Sequence, residues 1–426
     1  SKVGHPEQTV NEAKCTQLDV FVPADLSKDK PTRVLVYLHG GMMSSDNRSS
    51  ILYKCLELLR SSSNPVAAST IVVSVEYSLG LYGWFAHENW IQDFSHPLKI
   101  VYGKYPANLA IHQVIQALVW VNKHIKFFGG NPSDVTLAGH ASGASLAHWV
   151  HLALTTKTLL NYNLTNMPFQ KLLLMSGTAF MFDAIFKHDS FRYLEIAFSK
   201  YRDFFTNGQL DIANINTLLG KMTQGRLWYF FKSLNVTWGP VIDDRLIHAK
   251  AWPSMAGLND SRFSWSKLTK VLLTVNGHEA KWFTFSLHKV LNDITHGDGA
   301  DQIMNPLLTG ELKELVKEGK TKKALERLSA WLSEYFFVYP ARLTHKLYDD
   351  AKVKIQIITF NASDIMWNTV PIKNAVTAII DSQCRSNVYF SLSTCQSAAQ
   401  AFTNVSKFWR FVTGSNTAAS SDIKRS

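Results

Sequence analysis

The chain has 426 residues, 46% of them hydrophobic and 12% aromatic, with a formal net charge of +11. This length and apolar content permit a sizeable core, and no run reaches the ~18 uninterrupted apolar residues that a membrane span needs. No zinc-ligand spacing, nucleic-acid motif or Walker loop accompanies the charge, so no metal, cofactor or nucleic-acid partner is expected.

The chain then reads as alternating strands and helices. "RVLVYLHGG" (33–41) is a continuous apolar strand ending in glycines, and "ILYKCLELLR", which contains Cys55, is an amphipathic helix. "TIVVSVEYSL" (70–79) is a second strand. Over 107–127, Leu109, Ile111, Val114, Ile115, Leu118, Val121 and Ile125 mark an amphipathic helix. "DVTLAG" (134–139) and "KLLLMSG" (171–177) are strands, the stretch 180–265 reads as helices and loops laid over the sheet, and "KVLLTVNG" (270–277) and "VKIQIITF" (353–360) are the last strands. Continuous apolar strands alternating with helices predict an α/β fold with a mostly parallel central sheet covered by helices on both faces. No repeat, low-complexity tract or linker divides the chain, so one domain over 1–426 is expected.

Two features concern the surface. The tract "ELKELVKEGKTKKALERL" concentrates Lys313, Lys317, Lys320, Lys322 and Lys323. A basic surface attracts acidic partners such as sulfated glycans or anionic lipid, whereas the tract's own glutamates make it a solvated helix. Near the end, Ala398, Phe402, Val405, Trp409 and Val412 form one helical stripe, with Asn404 on the opposite, exposed face.

Acceptor sequons N-x-[ST] occur at Asn47, Asn163, Asn235, Asn259, Asn361 and Asn404, about twice what chance gives, which favours a secreted, glycosylated chain. Of the cysteines, Cys384 and Cys395 are close enough in sequence to close a small disulfide loop, and Cys55 reads as a buried thiol.

The stretch "VTLAGHASGASLAHW" (135–149) has the layout of a nucleophile elbow. A strand runs into Gly139 and a helix starts near Gly143. In G-x-S-x-G the middle residue sits at the apex of a strained strand-to-helix turn. Here that residue is Ala141, which has no oxygen to attack with, and Ser142 is one step further on.

These segments resemble the carboxylesterase/cholinesterase family of α/β-hydrolases. "NEAKCTQLDVFVP" is similar to the family's S-E-D-C-L-x-L-N-V, with Cys15 at its cysteine, and "VYLHGGMM" to the oxyanion loop H-G-G-G. "VSVEYSLGLYGWF" resembles V-x-Y-R-L-G-x-x-G-F. "NLAIHQVIQALVWVNKHIKFFGGNPSDVTLAG" follows the family's long helix-to-elbow motif almost position by position. "LLLMSGTA", "GPVIDDRL", "VLLTVNGHEAKWF" and "FTNVSKFWRFVTGSN" resemble later motifs. The resemblance implies an α/β-hydrolase fold that lacks the family's N-terminal strands and final C-terminal elements.

It also implies a test of each catalytic part. The nucleophile position matches Ala141, the acid position Glu279, and the base position Ile372 in "VPIKNAVTAIID", with no histidine after His345. Gly40 and Gly41 keep part of the oxyanion loop, but Met42 replaces its third glycine and crowds the acyl oxygen's space. Ser142 is rotated off the apex, toward the packed helix. The resemblance extends to the non-catalytic cholinesterase-like adhesion proteins (neuroligins, neurotactin, gliotactin, glutactin), two of which carry a G-H elbow like Gly139-His140. Three readings follow. The first is an inactive extracellular domain that binds protein partners in adhesion or matrix. The second is a binder of small hydrophobic ligands in the former gorge. The third is a weak esterase using Ser142.

Overall fold

The strand residues explain the architecture. In Val34–Leu38 consecutive side chains point to opposite faces of the sheet, and all five are at most 5% exposed. A strand buried on both faces belongs inside a covered, parallel sheet. The computed structural model describes residues 17–23, 26, 31–44, 70–84, 107–155, 164–181, 185–186, 238–242, 246–247, 268, 270–276, 279–280, 284–296 and 306–360. The six sequon asparagines, the four cysteines, Ile372 and the 398–412 stripe lie outside them.

Seven strands form the central sheet: β1 (Leu18–Phe21), β2 (Thr32–Leu38), β3 (Thr70–Val75), β4 (Gly130–His140), β5 (Lys171–Met175), β8 (Lys270–Asn276) and β9 (Ile355–Phe360). Their order is β1-β3-β2-β4-β5-β8-β9. Only β1 is antiparallel, pairing Leu18 with Val75. Every other pair runs parallel. The sheet thus has the α/β-hydrolase character that the sequence predicts. One expectation needs correction. Within 180–265, the described residues include a separate two-stranded parallel pair, β6 (Ile185–Phe186) with β7 (Val241–Ile242), where helices and loops are expected. Two-residue strands are too short to leave a periodic signature.

The described helices are α1 (Gly80–Trp84), α2 (Leu109–His124), α3 (Ser142–Thr155), α4 (Thr284–His296), α5 (Pro306–Lys317), α6 (Thr321–Ser333) and α7 (Tyr339–Asp350). The predicted 107–127 helix ends at His124 and tightens into a 3₁₀ turn, Ile125–Phe128, closed by Gly129 in the left-handed region at φ 84°. Asn108 precedes α2 at φ 59°. Its side chain mimics a strand, donating to the carbonyl of Val241 at 2.8 Å and accepting from the Val241 N–H at 2.7 Å. The basic tract forms α5 and α6 around a turn. As its interspersed acids suggest, Glu311 binds Arg327 through both carboxylate oxygens at 3.0 Å, and Glu318 pairs with Lys320 at 2.8 Å. No helix among the described residues is long and apolar enough to cross a membrane.

Register places the interesting loops. Leu38 pairs with Gly139, and His140 with Met175. The loops leaving β2, β4 and β5 therefore meet at one end of the sheet, the carboxyl end where parallel α/β sheets build their sites.

Candidate functional site

The elbow is formed. Ala141 sits between β4 and α3 at φ 51°, a left-handed conformation that costs a non-glycine residue ~1 kcal/mol. Two hydrogen bonds hold it there: its N–H donates to Met175 at 2.8 Å, and its carbonyl accepts from the Ser145 N–H at 3.0 Å. Close backbone packing does the rest. A Cβ on Gly139 would lie 2.2 Å from the Gly143 carbonyl oxygen, one on Gly143 2.2 Å from that of His39, and one on Gly177 2.1 Å from that of Ala141. Three glycines thus let β2, β4, β5 and α3 converge on one turn.

The loop after β2 lies against this apex. A Cβ on Gly40 would stand 3.5 Å from the Ala141 Cβ. Gly41, Met42 and Met43 follow with φ of 110°, 53° and 60°, three successive positive values in a strained loop. Met43 anchors it, fully buried, whereas Met42 is 40% exposed. Tyr77 braces the loop from β3: its hydroxyl donates to the His39 carbonyl at 2.6 Å, and the two rings stack 4.4 Å apart. His39 in turn donates from Nδ1 to the Gly40 carbonyl at 2.8 Å. Gln113 of α2 ties down the chain after Tyr77, accepting from the Ser78 N–H at 2.7 Å and donating to the Ser78 hydroxyl at 2.9 Å.

Ser142 does not share the apex. It is 1% exposed at the start of α3, and its Oγ has no hydrogen-bond partner among the described residues. A nucleophilic hydroxyl needs a base within hydrogen-bond reach. Glu279, in the turn after β8, is fully buried, and the next residue's N–H donates to Ser333 at 2.9 Å. The structure thus brings Gly40, Gly41, Met42, Ala141 and Ser142 together at the sheet's carboxyl end. Among the described residues no group of three His, Cys, Asp or Glu is arranged for a metal.

The profile of the carboxylesterase family matches residues 2–404. The chain belongs to the carboxylesterase family. Similar members include Acetylcholinesterase-1 of Trittame loki, 32% identical over 177 residues that cover 41% of this chain and 26% of that protein. Glutactin of Drosophila melanogaster is 28% identical over 169 residues, 40% of this chain and 13% of that protein. The aligned part therefore spans about a quarter or less of these relatives. Among solved structures, carboxylesterase EST55 of Geobacillus stearothermophilus matches with a TM-score of 0.58 and 19% identity, covering 83% of this chain and 66% of that one. That likeness establishes the shared fold.

Beneath the family's elbow lies a cluster that pattern reading missed. His148 and His151, on one face of α3, are fully buried. His148 accepts at Nδ1 from the Ala179 N–H at 3.0 Å, and Nδ1 of His151 is 2.6 Å from the Tyr348 hydroxyl of α7. Tyr348 stacks on both imidazoles with centroids 5.5 Å apart. The available signal was two histidines three residues apart in the otherwise apolar "SGASLAHWVHLAL". Burial holds His148 well below its usual pKa, with His151 adding repulsion, and burial lowers His151 to about 3. Tyr348 is pushed well above its usual value by burial.

Both imidazoles are therefore neutral in the fold, whereas in the unfolded chain they take up protons below about pH 6.5. Their contribution is present above that pH and lost as pH falls toward the depressed folded values. Each costs up to ~1.4 kcal/mol per pH unit once fully developed, so stability falls as pH drops below about 6.5. Urea unfolding at a series of pH values should show this, and His151→Leu should reduce the pH slope by about half whatever its absolute stability. An unchanged slope in that variant would sink the assignment.

Proposed function

We propose that this chain is a catalytically inactive cholinesterase-like domain that acts outside the cell by binding protein partners in adhesion or matrix. One observation carries the reading: the apex of the elbow holds Ala141, whose methyl group has no attacking oxygen. The neighbouring hydroxyl, Ser142, is buried without a partner among the described residues, which argues against its having taken over. In the same reading Ile372 stands where the family's base would be, Met42 replaces an oxyanion-loop glycine, and Glu279 serves as a buried structural group. A further part of the proposal is a single domain over 1–426, glycosylated at some of its six sequons, with Cys384 and Cys395 paired. Similarity to glutactin agrees with this proposal, while most of the similar proteins carry the names of esterases.

The test has two arms. A fluorophosphonate probe should leave the purified chain unlabelled while labelling an active carboxylesterase under the same conditions. The tagged chain should be captured, by cross-linking, on a protein at the surface of cells. Probe label mapped to Ser142 would overturn the proposal in favour of an esterase. A stoichiometric hydrophobic molecule seen by native mass spectrometry, with no protein captured, would replace it with ligand carriage.

A further inference from the structure

The opposite end of β4 carries an exposed aromatic and basic cluster. The 3₁₀ turn after α2 is pinned by Ile125, fully buried, while the next residues face outward. Phe127 is 76% exposed and Phe128 40%. Trp120, half-buried one turn earlier, lies 6.0 Å from the Phe128 ring. Lys126 places its ammonium 5.4 Å from the Phe127 centroid. Lys123 and His124 are exposed beside them, and His124 contacts both Trp120 and Phe127. No acid occurs between Trp120 and Ser133. The next one, Asp134, is already paired with Arg33 and Lys171. Neither Lys123 nor Lys126 has a carboxylate partner among the described residues. β4 runs eleven residues from this turn to the elbow, so the cluster lies about 30 Å from Ala141.

Independently of where the chain resides, we propose that this turn is a membrane-contact site, whose aromatic rings enter the headgroup layer of a bilayer bearing anionic lipid while the lysines engage its phosphates. Phe127, 76% exposed, gains little for the fold, and aromatic bodies of this kind favour the bilayer interface. Lysines beside them add attraction to anionic headgroups, and the chain's net charge of +11 acts in the same direction. Area separates the bilayer from a protein partner. A stable protein interface buries ~800 Å² on each side, whereas one largely exposed ring, one partly exposed ring and an indole edge offer on the order of 200–300 Å². Two rings held on a rigid, anchored turn suffice for shallow insertion. A soluble polyanion would engage the lysines alone and leave Phe127 in water.

The experiment compares sedimentation of the purified chain with vesicles of phosphatidylcholine alone and of phosphatidylcholine mixed with phosphatidylserine. The unaltered chain should bind the mixed vesicles far better. Phe127→Ser, alone or with Phe128→Ser, should lower partitioning about 10-fold or more, the effect of one ring's burial, and Phe127→Ser alone, at a ring 76% exposed, should leave the unfolding midpoint unchanged. Lys123→Glu with Lys126→Glu should lower it by at least about 5-fold per lysine. Retention on a heparin column should survive the phenylalanine substitutions. Equal partitioning of the unaltered chain and the phenylalanine variant would overturn the proposal. So would binding to heparin with no binding to mixed vesicles, which would leave a polyanion site in its place.

Discussion

The purified protein will not turn over a small activated ester above a heat-denatured control, and Ala141→Ser will not change that. The substitution is sterically simple. A hydroxyl on the Ala141 Cβ would stand at the apex of a turn whose backbone is already in the required left-handed conformation. Nucleophilicity is the obstacle, because a serine hydroxyl attacks poorly unless a base takes its proton. His39, within the loop, is buried at 2% exposure with its ring stacked on Tyr77. His148 and His151 are committed to Ala179 and Tyr348 beneath the elbow. In a serine-hydrolase triad, loss of the nucleophile or of the base alone costs ~10⁶ in kcat. Ala141→Ser with Ile372→His should exceed either single variant yet stay far below an active relative, because Met42 still replaces an oxyanion-loop glycine. Turnover by the unaltered protein that vanishes in Ser142→Ala would show instead that the nucleophile had moved.

Gly143→Ala will abolish folding or destabilise the chain by about 4 kcal/mol or more. The added Cβ would lie 2.2 Å from the His39 oxygen and 2.4 Å from the Leu38 oxygen. Both are backbone atoms of a central strand end, so relief requires parting β2 from α3 rather than turning a side chain. Gly310→Ala is the control. That glycine lies in α5 with nothing within 4 Å of an added Cβ, and alanine there should add about 0.5–1 kcal/mol through helix propensity. Thermal or urea unfolding of the two variants checks both signs. A mild effect of Gly143→Ala would mean that the elbow can open. If the clash behaves as described, glycines around the elbow report on backbone packing and say nothing about whether chemistry survives.

Most of the scaffold was legible before any coordinates. The strands at 32–38, 70–75, 130–140, 171–175, 270–276 and 355–360 contain runs of β-branched and large apolar residues, and such runs require cover on both faces. The boundaries were less legible. The helix over 107–127 stops at His124 because Ile125 must turn inward while Gly129, at φ 84°, redirects the chain into β4. Strand β1 is only four residues long and half-buried, so the antiparallel edge has almost no local signature. Neither has the β6–β7 pair, whose Val241 is held by the Asn108 side chain more than a hundred residues earlier.

The candidate site divides along the same line. The residues decide which atoms are available: alanine at position 141, serine at 142, methionine at 42, and no histidine beyond 345. These are matters of covalent identity, and no conformation can add an oxygen to Ala141. Tertiary structure alone decides what the remaining groups face. It buries Ser142 Oγ, leaves Met42 exposed, stacks Tyr77 on His39, and brings Tyr348 between two histidines nearly two hundred residues earlier in the chain. Desolvation and neighbouring charge set the protonation of those histidines, and both arise only where distant segments exclude water together. The sequence could thus say which side chains were present, and the packing of β2, β4, α3 and α7 decided which were neutral, exposed or out of reach.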